Sequence, residues 1–323
     1  MPRRAPPAAF VNHWVSMIGA LAGVLRALGS TLSVTEVAAL SGHAFRFAVA
    51  PAATDDGAMD ASGPDRFASE TALPLYAALG CSFAAIEAPA GDPHYNETRA
   101  TILAAVRVAT RAGRPAILYG LHVPRFGIVR AVEGEAFIAS TMVSAQAGER
   151  LPLSQWPPPG PPVPLRAFLL ESRGRETRAL ADLLRFVVAY AREGDPPGAV
   201  GVAGAATGFA AYERWIALLE SDAAISPGGH AYCLHALQQA RAEAAAFLRD
   251  AGAGTATAPP LAAAAAAYDA ETLALAQLIT LFPYPNGGDI SSPGARRIAA
   301  LYARRVYAAE RDAIAHLAAA LGI

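Results

Sequence analysis

The stretch Trp14-Val15-Ser16-Met17-Ile18-Gly19-Ala20-Leu21-Ala22-Gly23-Val24-Leu25-Arg26-Ala27-Leu28-Gly29 decides how the rest of the chain is read. Trp14, Met17, Ile18, Leu21, Leu25 and Leu28 recur at the three-and-four spacing of one buried helical face. A second stripe, Ser16, Gly19, Ala20, Gly23 and Ala27, is almost entirely small. Each glycine there lowers helix propensity, so the stripe makes sense where another element must come close. Gly29 ends the helix as a left-handed C-cap. A helix apolar on one face and small on another is a central helix, buried from two sides.

Working outward, Ser33 and Glu36 form a capping box that opens a helix over Val34–Leu40. Residues 51–65, rich in Ala, Asp, Gly and Pro, read as an exposed loop. A helix is expected over 69–79 and a strand over 81–88, then an amphipathic helix over 96–112. Gly113-Arg114-Pro115 turns the chain into a strand at 116–121. Strands at 126–132 and 136–142 follow, with Glu133-Gly134 as the hairpin signal between them. Residues 155–164 are proline-dense and read as an extended surface connector. A strand at 167–171 is expected at the edge of the sheet. From Arg175 onward the pattern is helical: 177–192, 200–221, 231–250, 261–281, and a last helix capped by Ser292 with Pro293 at its first position. The fold class is therefore α+β: an α+β domain over 1–172, then an all-helical domain over 173–323.

Composition narrows the function. The 323 residues carry a net charge of −1 with no basic run, so nothing argues for nucleic acid. All 26 basic residues are arginine, and the two cysteines are too few for a disulfide framework or a cysteine-rich zinc site. Met1–Arg4 followed by the apolar run 15–25 has the outline of a secretory signal. Arg26 follows at once, however, and the helix leads into a second one. The segment is read as mature structure and the protein as cytoplasmic, with no membrane partner. No nucleotide fingerprint or calcium loop occurs, and no cofactor is expected.

The order of central helix, accessory helices and antiparallel sheet resembles the papain-like fold of the bacteriocin-processing cysteine peptidases. It is more similar to the N-terminal domain of the butirosin-biosynthesis H-type acyltransferases and their bacterial relatives. Leu21, Val24, Leu25 and Gly29 fit the pattern of that family's central helix, and Ser16 falls at the position of its nucleophilic cysteine. Ser33-Val34-Thr35-Glu36-Val37 matches the second helix, and residues 41–47 match the glycine-and-aromatic loop. Arg125-Phe126-Gly127-Ile128-Val129 matches the strand that usually opens with the catalytic histidine, which puts Arg125 at the base position. The third position falls near Ser140-Thr141. The resemblance implies a cysteine-peptidase-like site with all three places changed. Serine has no lowered pKa of its own, and arginine stays protonated and cannot act as a base. His122, three residues before Arg125, is the substitute base if a Ser16–His122 pair forms.

The expected function is that of a pseudoenzyme: a non-catalytic papain-like protein that binds a small molecule or peptide in a cleft between its domains. An anionic ligand is favoured by the fixed cation at Arg125. The lining residues expected are Trp14, Ser16, His43, Arg46, His122, Arg125, Tyr212 and Cys233. His43 and Arg46 sit on a loop suited to a carboxylate or phosphate, or to a structural role tying that loop to the central helix. Cys233 lies one helical turn from His230, near a helix start that favours a thiolate. Two alternatives stand beside this reading: an acyltransferase or amide hydrolase using Ser16 or Cys233, and a protein-interaction scaffold built on the helical half.

Overall fold

The computed structural model describes residues 7–50, 69–144, 148–160, 163–174, 177–195, 204–255 and 257–323. The loop expected at 51–65 and the start of the helix expected at 200 lie outside them. The first elements are α1 (Ser16–Ala27), α2 (Val34–Leu40), β1 (Ala48–Val49), α3 (Ser69–Ala77), β2 (Cys81–Ala88) and α4 (Tyr95–Arg111). Next come β3 (Ala116–Tyr119), β4 (Phe126–Glu133), β5 (Ala136–Ser140), β6 (Glu149–Pro152) and β7 (Leu165–Arg173). The chain then runs through α5 (Leu180–Glu193), β8 (Ala206–Thr207), α6 (Phe209–Glu220), α7 (Pro227–Gly252), α8 (Ala258–Leu281) and α9 (Pro293–Leu321). The fold is mixed α+β, with a six-stranded antiparallel sheet and a separate two-stranded ribbon. Its described residues fall into two compact units, drawn from 1–37 with 73–177 and from 38–72 with 178–323. The stretch after residue 37 thus groups with the helices, whereas a single cut near residue 172 is the expectation from sequence.

In the first unit every residue of α1 from Ser16 to Leu25 is buried. The small stripe has a specific job. A Cβ at Gly19 would stand 2.3 Å from the Val11 carbonyl oxygen, and one at Gly23 would stand 2.2 Å from that of Ala9. The glycines therefore let the segment before the helix run directly against it, with Val11 N–H donating to Gly19 O at 3.2 Å. The capping box forms as read: Ser33 N–H donates to Glu36 Oε2 at 2.7 Å and Glu36 N–H to Ser33 Oγ at 3.2 Å.

The sheet order is β2-β7-β3-β4-β5-β6. Adjacent residues of β4 point to opposite faces. Ile128 reaches toward Gly23 of α1, and Val129 joins the core formed with Ile102 and Val106 of α4. The sheet is thus covered by α1 on one side and α4 on the other. Two expectations need correction here. The last strand is interior: β7 pairs with β2 along its length, and with β3 through Leu169 opposite Ala116, Phe168 opposite Ile117 and Ala167 opposite Leu118. Its Leu165, Ala167, Phe168 and Leu170 are all buried, as a strand packed on both faces requires. The proline-rich connector is not simply surface: Trp156 is 1% exposed, and its Nε1–H donates to Tyr119 O at 2.9 Å.

The second unit is helical apart from the β1–β8 ribbon, so the all-helical description is corrected by two short strands. Gly204 and Gly208 have φ of 73° and 60°, which places them outside a helix, and α6 begins only at Phe209. Ser292 and Pro293 open α9 as expected, but the Ser292 side chain makes no capping hydrogen bond. Among the described residues no helix is long and apolar enough to cross a membrane.

Candidate functional site

The three positions implied by the resemblance meet at one end of the sheet in the first unit. Ser16 is the first residue of α1 and 1% exposed, and its Oγ accepts a hydrogen bond from Phe126 N–H at 3.0 Å. Phe126 opens β4 directly after Arg125. Ser140 ends β5 opposite Ile128, and its Oγ accepts from Phe10 N–H at 2.9 Å. A Cβ at Gly127 would stand 3.0 Å from Thr141 Cγ2, which puts Thr141 beside the same strand. Both serine oxygens therefore accept from buried backbone amides, and Ser140 Oγ also donates to Ser144 O at 3.4 Å.

The remaining members of this set do not assemble a proton relay. His122 is exposed, and the carboxylate near it is that of Glu149, with Nδ1 and Oε1 3.9 Å apart. The hydrogen bond made by Ser16 Oγ goes to the Phe126 amide rather than to His122. Arg125 is half-buried and donates from Nη1 to Pro124 O at 2.9 Å. Trp14 is half-buried ahead of the helix. Beside it in the chain, the buried His13 accepts at Nδ1 from Val15 N–H at 2.9 Å, and so helps fix the approach to α1.

The other four expected residues belong to the second unit. Arg46 is paired with Asp195, and both side chains are nearly inaccessible. Its guanidinium lies 5.1 Å from the centre of the Tyr190 ring, while Tyr190 Oη accepts from Phe47 N–H and donates to Phe47 O. Arg46 thus ties its loop to the end of α5 rather than to the central helix named in the structural reading. His43 is buried in the short 3₁₀ turn His43–Phe45. Cys233 is 3% exposed in a core that includes Trp215, Leu237 and Phe282. His230 has no exposure, accepts at Nε2 from Trp215 Nε1–H at 3.4 Å, and has its pKa pushed down to about 3, first by burial and then by the charge of Arg296. A neutral imidazole cannot supply the cation that would stabilise a thiolate at Cys233.

Tyr212 belongs to a buried ionic cluster that sequence reading does not find. Arg241 of α7 lies between Glu271 of α8 and Glu310 of α9, with Nε 3.2 Å from Glu271 Oε1 and 2.9 Å from Glu310 Oε2. It also donates to Tyr212 Oη and to Ala44 O, each at 2.6 Å. A signal is present: each of the three charged residues interrupts an apolar stripe, as in Leu234, Leu237, Arg241, Ala244 and Leu248.

The second unit also carries an open cleft of about 950 Å³ between the loop after α6 and the start of α9. Leu219, Ile225, Ile290 and Ala300 give it an apolar wall. Arg296 closes one side by donating to Ile290 O at 2.9 Å, Ala223 O at 2.6 Å and Ser221 O, which satisfies carbonyls left open where α6 ends. Arg304 is paired with Glu220 at 2.5 Å. Arg297 is exposed at the mouth and makes no ion pair among the described residues. Neither a protein-family comparison nor a comparison with curated proteins finds a match for the chain.

Proposed function

We propose that this chain is a non-catalytic binding protein on a papain-like scaffold, and that its ligand is a small molecule or peptide end with an apolar body and an anionic group. The observation that carries the reading is the hydrogen bond from Phe126 N–H to Ser16 Oγ. The atom at the position of the nucleophile is buried and fastens the helix to the sheet. A nucleophile needs a base within hydrogen-bond reach, and Ser16 has none among the described residues.

The ligand is assigned to the cleft of the second unit. Its volume falls in the range that suits a small molecule, its wall is apolar, and Arg297 offers a fixed cation at the mouth. Fluorescence titration with 8-anilinonaphthalene-1-sulfonate, an aromatic anion, tests this. Saturable one-site binding is expected, weakened about tenfold or more by Arg297→Glu and by Leu301→Glu. Ser16→Ala is expected to leave it unchanged. Titrations that are identical in both cleft variants and the parent would show that the cleft is not the binding site.

A further inference from the structure

We infer that Glu271 and Glu310 hold one proton between them in the folded protein, so that the helical unit binds a proton it gives up on unfolding. The geometry carries this. Glu271 and Glu310 have side-chain exposures of 0% and 2%, and both carboxyl groups approach the same nitrogen of Arg241. A single hydroxyl, Tyr212 Oη, also lies 3.1 Å from an oxygen of each, so the two carboxyl groups crowd the same donors. Two ionised carboxylates offer only acceptors and repel one another at such close quarters, and a proton on one of them removes that repulsion. Charge count agrees, since a single guanidinium faces two acids that are almost wholly shielded from solvent.

The other groups around the pair are Tyr212 of α6, whose hydroxyl lies 3.1 Å from Glu271 Oε1 and from Glu310 Oε2, and Tyr268 of α8, whose ring lies under Arg241. Tyr307 stacks on Tyr212, with Glu213 hydrogen-bonded to its hydroxyl and Arg311 over its ring. Burial raises Glu271 well above the usual carboxylate range; Arg241 opposes the shift and Glu310 adds to it. Both tyrosines of the cluster are pushed well up by burial and stay neutral. Arg241 remains charged, so the proton resides on the acids.

A carboxyl whose folded pKa exceeds its unfolded value stabilises the fold fully below the unfolded pKa. That stability declines as pH rises toward the folded pKa, by up to a factor of ten in the unfolding equilibrium per pH unit. The full chain is titrated potentiometrically, native and in guanidinium, from pH 5.5 to 8, beside Glu271→Gln and Glu310→Gln. The parent is expected to release about one proton more on unfolding than Glu271→Gln at pH 5.5. Equal release by parent and variant across the whole range would overturn the inference. Should Glu271→Gln not fold, the same difference read with Glu310→Gln decides. The infrared carbonyl band of a buried protonated carboxyl in the native parent gives a reading that needs no variant, and absence of that band would also overturn it.

Discussion

Arg241→Met is expected to destabilise the second unit by about 3–5 kcal/mol, the cost of removing one partner from a buried ionic group. The midpoint of its thermal unfolding is expected to fall on the order of 10 °C. The substituted side chain fills the space and leaves Glu271 and Glu310 with no cation, while the Ala44 carbonyl loses the donor that reached it at 2.6 Å. The acids then stay buried only by taking up a second proton. The loss is therefore larger at pH 8 than at pH 5, because the folded variant binds one proton more than the folded parent, and its stability falls more steeply as pH rises. Denaturant unfolding at the two pH values checks both points. A variant as stable as the parent at pH 8 would mean that the ionic cluster is not formed.

The second large effect is expected in the first unit. Trp156→Ala is expected to cost about 3–5 kcal/mol, as truncation of a large core aromatic does. Trp156 is 1% exposed and packs against Phe137 with ring centres 6.0 Å apart. Arg99 lies over its ring at 5.9 Å and also donates to the Trp156 and Leu153 carbonyls at 2.8 Å. Trp156→Phe separates the terms. It keeps most of the volume but leaves Tyr119 O without the indole N–H, for a loss of about 1–3 kcal/mol. Unfolding followed by circular dichroism orders the two variants. An unaffected Trp156→Ala protein would contradict the placement of this residue in the core.

How much of this is legible in the sequence depends on the range of the determining interaction. The central helix is local: its period marks the buried face, its glycines mark the close approach of residues 9–11, and Ser33 with Glu36 announces the next helix. Trp156 gives no such signal, because one aromatic between prolines has no period, and its burial is decided by the distant Tyr119 and Phe137. The place of β7 between β2 and β3 is likewise a matter of long-range pairing, and a local pattern does not state strand order. The stretch before α6 reads as helix by composition, but the positive φ of Gly204 and Gly208 puts an extended pair there instead. For Arg46 the sequence leaves a ligand and a structural role both open, because its partner, Asp195, lies 149 positions away. In the ionic cluster the interrupted stripes are visible one helix at a time, but nothing in a single helix says that the three interruptions meet.

The proposal that this scaffold carries no nucleophile is tested most directly by intact-mass measurement after incubation of the native protein with a fluorophosphonate and, separately, with iodoacetamide. Ser16 is buried with its Oγ held by Phe126 N–H, and Cys233 is buried beside a neutral His230. The prediction is an unchanged mass with both reagents, the same as for Ser16→Ala and Cys233→Ala proteins. Rapid stoichiometric labelling that disappears in Ser16→Ala or His122→Ala, or in Cys233→Ala or His230→Ala, would contradict it.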